Sequence, residues 1–228
     1  MKTDRWPMAP PLRGLIPHKD CPHCARSCGN DEHDCTGGCA AAFRVRTIGL
    51  CGPAGAGKST AAERLMLLWH FQRVRFAGPL KAMMLALGLD PAQVDGDRKE
   101  EPSALLCGRT PRQAMQWLGT EWGRNLIGEG FWIAAWQAAT QSGHLQHPWQ
   151  GHQPLIVADD VRFANEAKAI RDRGGLVVRI ERPGAGSASG GDHASERMDF
   201  VPDRIIRNTG DLVAFRKAID DLAASLRD

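Results

Sequence analysis

The sequence predicts an α/β fold of three layers, with a central and mostly parallel sheet between helices. Short apolar runs that read as strands alternate with amphipathic runs that read as helices. The run 155–158 (LIVA) reads as a buried strand and ends in two acids, Asp159 and Asp160. A glycine-rich turn at 52–57 joins the first apolar run to the first helix, and no internal repeat breaks the order.

Taken in order, residues 45–50 (VRTIGL) read as a short strand. Residues 59 to about 70 form a helix with Leu65, Leu68 and Trp69 on one face. A second strand is predicted at 74–77 and a helix at 80–87 after Pro79. The charged stretch 91–102 reads as a loop. Residues 111–124 read as a helix with Pro111 in its first turn, and 131–140 as another. The polar, His-rich stretch 141–154 is a loop. After the 155–158 strand, 164–173 is a helix closed by Gly174 and Gly175. Residues 176–180 form a strand, 183–191 a Gly/Ser-rich mobile loop, 204–206 the last strand and 212–226 the last helix.

The length, 228 residues, suits one domain with a small appendage. Hydrophobic residues make up 43% and charged residues 24%, a soluble balance with enough apolar chain to bury a core. The charge excess, 29 Lys and Arg against 26 Asp and Glu, is too slight for a nucleic-acid partner, so none is expected. No run of 18 apolar residues is present, so no membrane partner is expected either. The first 17 residues carry Pro7, Pro10, Pro11 and Pro17 and lack the apolar core of a signal peptide. The expected location is therefore cytoplasmic and reducing, where cysteines stand as free thiols or metal ligands rather than disulfides.

Five of the seven cysteines fall between Cys21 and Cys39, which marks residues 1–43 as a Cys-rich extension of a main domain at 44–228. Cys21, Cys24, Cys35 and Cys39 have spacings that suit a tetrahedral Zn²⁺ site. Cys28, His23 and His33 are further candidate ligands, so the ligand set stays open, and so does the reading as a thiol-bearing tail. Four protein ligands would leave no open position, so such a zinc would be structural. The extension carries five basic and five acidic residues, which weakens a DNA-binding reading of it.

Residues 52–59 (GPAGAGKS) fit G-x-x-x-x-G-K-[ST] at every fixed position, between a strand and a helix. The glycines let backbone N–H groups turn inward toward phosphate, and the helix N-terminus adds a favourable dipole. Lys58 supplies a charge for the β- and γ-phosphates and Ser59 a hydroxyl for Mg²⁺. This is the signature of a P-loop NTPase fold, and by itself it implies a nucleoside triphosphate with Mg²⁺ and does not separate kinase, GTPase and motor. The nucleotide-binding set is Gly52, Ala54, Gly55, Ala56, Gly57, Lys58, Ser59 and Thr60. At the acidic strand end, one carboxylate serves the metal, directly or through water, while the other caps the following turn. Asp160 is favoured for the metal or substrate because Arg162 follows on the same side. A ring-forming ATPase would need further helical lid sequence, and a GTPase an N-K-x-D-like reader that is absent.

Further blocks follow in order. They are Phe76-Ala77-Gly78-Pro79-Leu80-Lys81, then Thr110-Pro111-Arg112-Gln113 running on to Gln116, Leu118 to Arg124 and Phe131-Trp132. Asp160 to Ala167, Gly174-Gly175, Arg182-Pro183 and His193-Ala194-Ser195-Glu196 complete them. Over about 45–226 the sequence resembles the bacteriophage-type deoxynucleoside monophosphate kinases of the P-loop nucleotide kinase superfamily. The Cys-rich extension and the long 141–154 loop lie outside the pattern.

The resemblance implies Mg-ATP-dependent conversion of a deoxynucleoside monophosphate to its diphosphate, as in deoxynucleotide metabolism, in the host cytoplasm if the gene is a bacteriophage's. A phosphate acceptor is already ionised near neutral pH, which fits blocks rich in arginine and poor in histidine. Arg112, Arg124 and Arg162 are assigned to the acceptor phosphate or the transferring group, with Lys58, Arg124, Asp160 and Arg162 as the catalytic set. Gln116 and Trp132 join the substrate set. Lys81 is placed either on the monophosphate or in solvent, and Trp117, Trp122, Trp132 and Trp136 either on a base or in the core. Arg182 and Arg197 flank the 183–196 segment and are assigned to a closing lid on the nucleotide. The alternatives are a kinase of a ribonucleoside monophosphate or non-nucleotide acceptor, and a zinc-containing nucleic-acid-binding ATPase. The oligomeric state stays open, with a homodimer among the candidates.

Overall fold

The computed structural model describes residues 45–141, 154–186 and 198–227. The expectations for the 1–43 extension, its Cys21, Cys24, Cys35 and Cys39 zinc set, most of the 141–154 and 183–191 loops, and Arg197 lie outside those residues. The rest is a five-stranded sheet in the order β2-β3-β1-β4-β5, with every pair parallel. The strands are β1 (Thr47–Cys51), β2 (Gln72–Arg73), β3 (Ile156–Ala158), β4 (Leu176–Glu181) and β5 (Arg204–Arg207). The helices are α1 (Lys58–Trp69), α2 (Gly78–Ala86), α3 (Pro91–Val94), α4 (Pro111–Trp117), α5 (Phe131–Gln141), α6 (Ala164–Asp172) and α7 (Leu212–Ser225).

Every residue of β1 is buried, because helices cover both faces of a parallel sheet. Its register sets Ile48 beside Val157 on one side and beside Leu176 on the other. The chain leaves β1 for β2, returns as β3 between them, and then continues as β4 on the far side of β1. Such a reversal opens a crevice at the carboxyl ends of β1 and β3.

Two packed clusters support that crevice. One lies against the sheet and includes Phe76, Trp136, Ile156, Val161 and Ile170. Trp136 is fully buried, stacks on Phe76 at 4.6 Å and donates its indole N–H to the Val74 carbonyl. The other belongs to the helices and joins Leu80, Met84, Leu89, Val94 and Trp132. Trp122 packs against this second cluster, whereas Trp117 is largely exposed beside Arg109. Aromatic packing thus accounts for Trp122, Trp132 and Trp136.

Three elements depart from expectation, each for a physical reason. The second strand is Gln72–Arg73 rather than 74–77. Its ladder ends at the Val74 N–H, because the next free donors, Phe76 N and Ala77 N, turn to the Asp160 carboxylate. The 91–102 stretch is more than a loop. Asp90 and Gln93 form a capping box around α3, with Pro91 in its first turn, and Arg98–Glu100 makes a 3₁₀ turn. The helix predicted at 111–124 starts as α4, capped by Thr110 and Gln113, and then widens into a π-helix over Leu118–Ile127. The wide turns lie against Trp132, whose indole N–H donates to the Gly119 carbonyl at 2.7 Å. A Cβ at Gly123 would come within 2.3 Å of that indole nitrogen, so glycine is required there.

Candidate active site

The loop after β1 turns on glycines with positive φ at 52, 55 and 57. Gly52 is obligatory, since a Cβ there would meet the Ile180 carbonyl oxygen at 2.3 Å. Ala54 and Gly55 are exposed at the tip, Ala56 is buried, and Ser59 and Thr60 open α1. Lys58 bends back over the loop, and its Nζ donates to the Gly52 and Pro53 carbonyls at 2.7 and 2.8 Å. Burial, and then the Arg162 cation, hold its pKa below the ordinary lysine value. Arg182 Nη1 reaches the Gly55 carbonyl at 3.4 Å. Asn208, a residue that sequence reasoning missed, clamps the same loop through its Nδ2 on the Ala56 carbonyl at 2.9 Å. Its only sequence signal is an asparagine at a strand end.

The two acids after β3 face different ways. Asp159 Oδ2 accepts from the Ser59 hydroxyl at 3.4 Å and pairs with Arg73 Nη2 at 2.9 Å, while its Oδ1 takes Arg75 Nε at 2.9 Å. Arg73 also donates to the Ser59 carbonyl. Asp160 accepts from Phe76 N at 3.0 Å and Ala77 N at 2.9 Å. Burial first, and the neighbouring Asp159 charge as well, push the Asp160 carboxyl up. The acid beside the Ser59 hydroxyl is Asp159, while Asp160, the one favoured for the metal or the substrate, takes the N–H groups of the 76–77 turn and lines the neighbouring cavity. The division follows from strand geometry, where adjacent side chains leave on opposite sides.

Beside the loop lies a cavity of about 230 Å³. Its lining brings together Lys81, Arg112, Gln116, Arg124, Trp132, Asp160 and Arg162, all singled out from the sequence. Arg112, Gln116, Thr120 and Arg124 recur every four residues, so one face of α4 and its π continuation runs along the wall. Arg112 pairs with Glu100 at one end of that face, and Lys81 pairs with Asp95 at 2.5 Å. Lys99 joins them from the 3₁₀ turn. Burial, and then the adjacent Lys81 cation, hold its pKa down. Trp132 is 4% exposed and contributes wall as well as core.

Arg124 occupies the other end of the face. Its Nη2 donates to Glu166 Oε1 at 2.5 Å, and its guanidinium carbon sits 3.5 Å from the centre of the Phe163 ring. Both partners of the pair are at most 10% exposed. Burial pushes the Glu166 carboxyl up to about 7, against the pull of the Arg162 N–H and the Arg124 charge. Chemically, one end of the site can hold a polyphosphate, and the adjoining cavity can hold a second anion among fixed cations.

A protein of Acanthamoeba polyphaga mimivirus, "Putative deoxynucleotide monophosphate kinase", is 34% identical to this chain over 155 residues, covering 65% of this chain and 79% of that one. The chain belongs to the deoxynucleotide monophosphate kinase family. No protein-family model matches it. Among solved structures, TT1252 from Thermus thermophilus shows 16% identity and a TM-score of 0.44, over 81% of this chain and 99% of that one. The Cys556Ala mutant of the Mycobacterium tuberculosis APS kinase CysC shows 15% identity and a TM-score of 0.33, over 80% and 99%. At those scores neither likeness decides anything about this chain.

A kinase of this family implies ATP and Mg²⁺. The residues at the loop fit the metal, because the Ser59 hydroxyl and the Asp159 carboxylate supply the hard oxygen donors that Mg²⁺ prefers. Among the described residues no group of three or more His, Cys, Asp or Glu side chains could hold a metal ion, and no helix is long and apolar enough to cross a membrane.

Proposed function

We propose that this kinase moves the γ-phosphoryl group of Mg-ATP onto the phosphate of a deoxynucleoside monophosphate, giving the diphosphate and ADP. The observation that carries the reading is the cavity beside the loop, lined by Arg124 and Arg162, with the Arg162 charge reaching Lys58. The acceptor oxygen attacks the γ-phosphorus as the bond to the β,γ-bridging oxygen breaks, and the negative charge leaves on ADP. The acceptor is already ionised, so no general base is needed, and the cavity lining contains no histidine.

In this reading the loop from Gly52 to Gly57, with Thr60 in the first turn of α1, cradles the ATP phosphates. Lys58 leaves the Gly52 and Pro53 carbonyls for the β- and γ-phosphates. Mg²⁺ would be held by Ser59 with Asp159, rather than by Asp160, and supplies neutralisation of phosphate charge. Arg124 and Arg162 orient the acceptor phosphate. Arg112, assigned to the phosphate from the sequence, stands at the opposite end of the helix face from Arg124, so in this reading it contacts the nucleoside side with Lys81 and Gln116, and Trp132 supports the wall. Arg182 approaches the nucleotide from β4.

The test is a product assay of purified protein with Mg-ATP against ribo- and deoxynucleoside monophosphates. Turnover confined to the deoxy series is expected. Preference for a ribonucleotide would replace the acceptor class. Inactivity on the whole panel by a folded, ATP-binding protein would remove the reading.

A further inference from the structure

We infer that Glu166 is the positioning residue that fixes the Arg124 side chain toward the acceptor phosphate and ties it to the backbone that carries Arg162, a step that rests on the kinase reading above. The two arginines come from different parts of the fold, Arg124 from the π-helix and Arg162 from the turn between β3 and α6. One buried carboxylate joins them. Its Oε1 takes the Arg124 side chain at 2.5 Å, and its Oε2 takes the backbone N–H of Arg162 at 2.8 Å and of Phe163 at 3.2 Å. Around the same guanidinium, Phe163 covers one face at 3.5 Å and Asn165 Oδ1 meets Nη1 at 3.4 Å. Asn165 is itself held, its Nδ2 donating to the Glu129 carbonyl at 3.1 Å. One face and one side of the Arg124 fork are thus occupied, and the residue lines the cavity with what remains.

A glutamate in the first turn of a helix often takes back the N–H groups at the helix start, and that accounts for Oε2 alone. It does not account for Oε1, nor for sealing the Arg124–Glu166 ion pair at 10% and 5% exposure in the cavity wall. The groups named against the two oxygens are all donors, so the site demands an acceptor on both sides. Glutamine cannot satisfy it, because its amide must turn an NH₂ group toward donors on one side. Aspartate, a methylene shorter, cannot span from the helix start to Arg124.

The experiment measures ATP and acceptor kinetics, and calorimetric binding of the four common deoxynucleoside monophosphates, at about pH 8. The proteins are wild type, Glu166→Gln, Asn165→Ala, Arg124→Ala and each of the first two combined with Arg124→Ala. In Glu166→Gln the acceptor KM should rise at least about tenfold and in Asn165→Ala about threefold, with ATP KM unchanged within about twofold. In the Arg124→Ala background both effects should shrink to about twofold or less, since the group they act through is gone. Should Glu166→Gln fail to fold, Glu166→Asp takes its place in the cycle, for it keeps the carboxylate at the helix start and loses only the reach to Arg124. Equal effects with and without Arg124, or an ATP defect as large as the acceptor defect, overturn the assignment. A wild type that binds ATP but neither binds nor phosphorylates any of the four strikes the function reading and takes this inference with it.

Discussion

Replacing Lys58 with alanine should cost turnover far more than it costs ATP affinity or stability. In the free protein the ammonium rests on two loop carbonyls, and burial together with Arg162 already disfavours its charge. Its removal therefore relieves as much strain as it creates, and the melting temperature should move little. With the transferring phosphoryl group about 4 Å away and an effective dielectric of about 20, the ammonium is worth about 4 kcal/mol. Giving up two carbonyl hydrogen bonds recovers about 1 kcal/mol of that for the variant, leaving about 3 kcal/mol. The expected loss in kcat is about 10²- to 10³-fold. The assay is single-turnover transfer from radiolabelled ATP, with ATP binding and thermal melts on the same samples. A variant that keeps kcat within about fivefold while binding ATP normally would refute the placement of Lys58 on the migrating group.

Gly123→Ala should lower stability by about 1–3 kcal/mol in urea unfolding, because its Cβ would sit 2.3 Å from the Trp132 indole nitrogen; a neutral effect would mean that the π-helix gives way freely. Asp159→Asn should raise the Mg²⁺ concentration for half-maximal activity by about tenfold or more, since it takes the charge from the acid facing Ser59, and an unchanged Mg²⁺ titration would return the metal to Asp160. Glu166 makes stability depend on pH. Its folded pKa, about 7, lies above the ordinary 4.5, so the folded state holds the proton more tightly and stability falls as pH rises between those values. With Arg124 and Asp160 facing it, the loss is up to about 3 kcal/mol by pH 8, measured as a steeper decline in wild type than in Glu166→Gln; parallel curves would refute it.

Local chemistry made much of the fold readable in advance. The glycine loop, the apolar 155–158 run and the Gly174 helix stop each name their element without outside help. What escaped depends on distant partners. The end of β2 is set by Asp160, which takes the Phe76 and Ala77 N–H groups from across the chain. The π-helix exists against Trp132, and no pattern within 118–127 announces it. Asp90-Pro91-Ala92-Gln93 carried a readable capping box, hidden by the charge of the stretch around it. In the site, the residue types gathered around the cavity were visible as blocks, but which of two adjacent acids meets Ser59 depends on strand register. Asn208, Lys99 and the grip of Glu166 on Arg124 required the third dimension.

The helical cluster around Leu80, Met84, Leu89, Val94 and Trp132 is drawn from one unbroken stretch of chain between β2 and β3. The sheet and the phosphate loop are drawn from the segments on either side. In the proposed function, acceptor choice is therefore written largely in one transplantable passage, and phosphate donation in its flanks. Exchanging residues 78–141 between relatives should carry monophosphate preference with it and leave ATP use behind. The seam of such a graft is the contact of Arg124 with Glu166, where the passage meets the host. A donor stretch lacking an arginine at that point would bring a nucleoside to the loop with Arg162 alone to hold its phosphate in line.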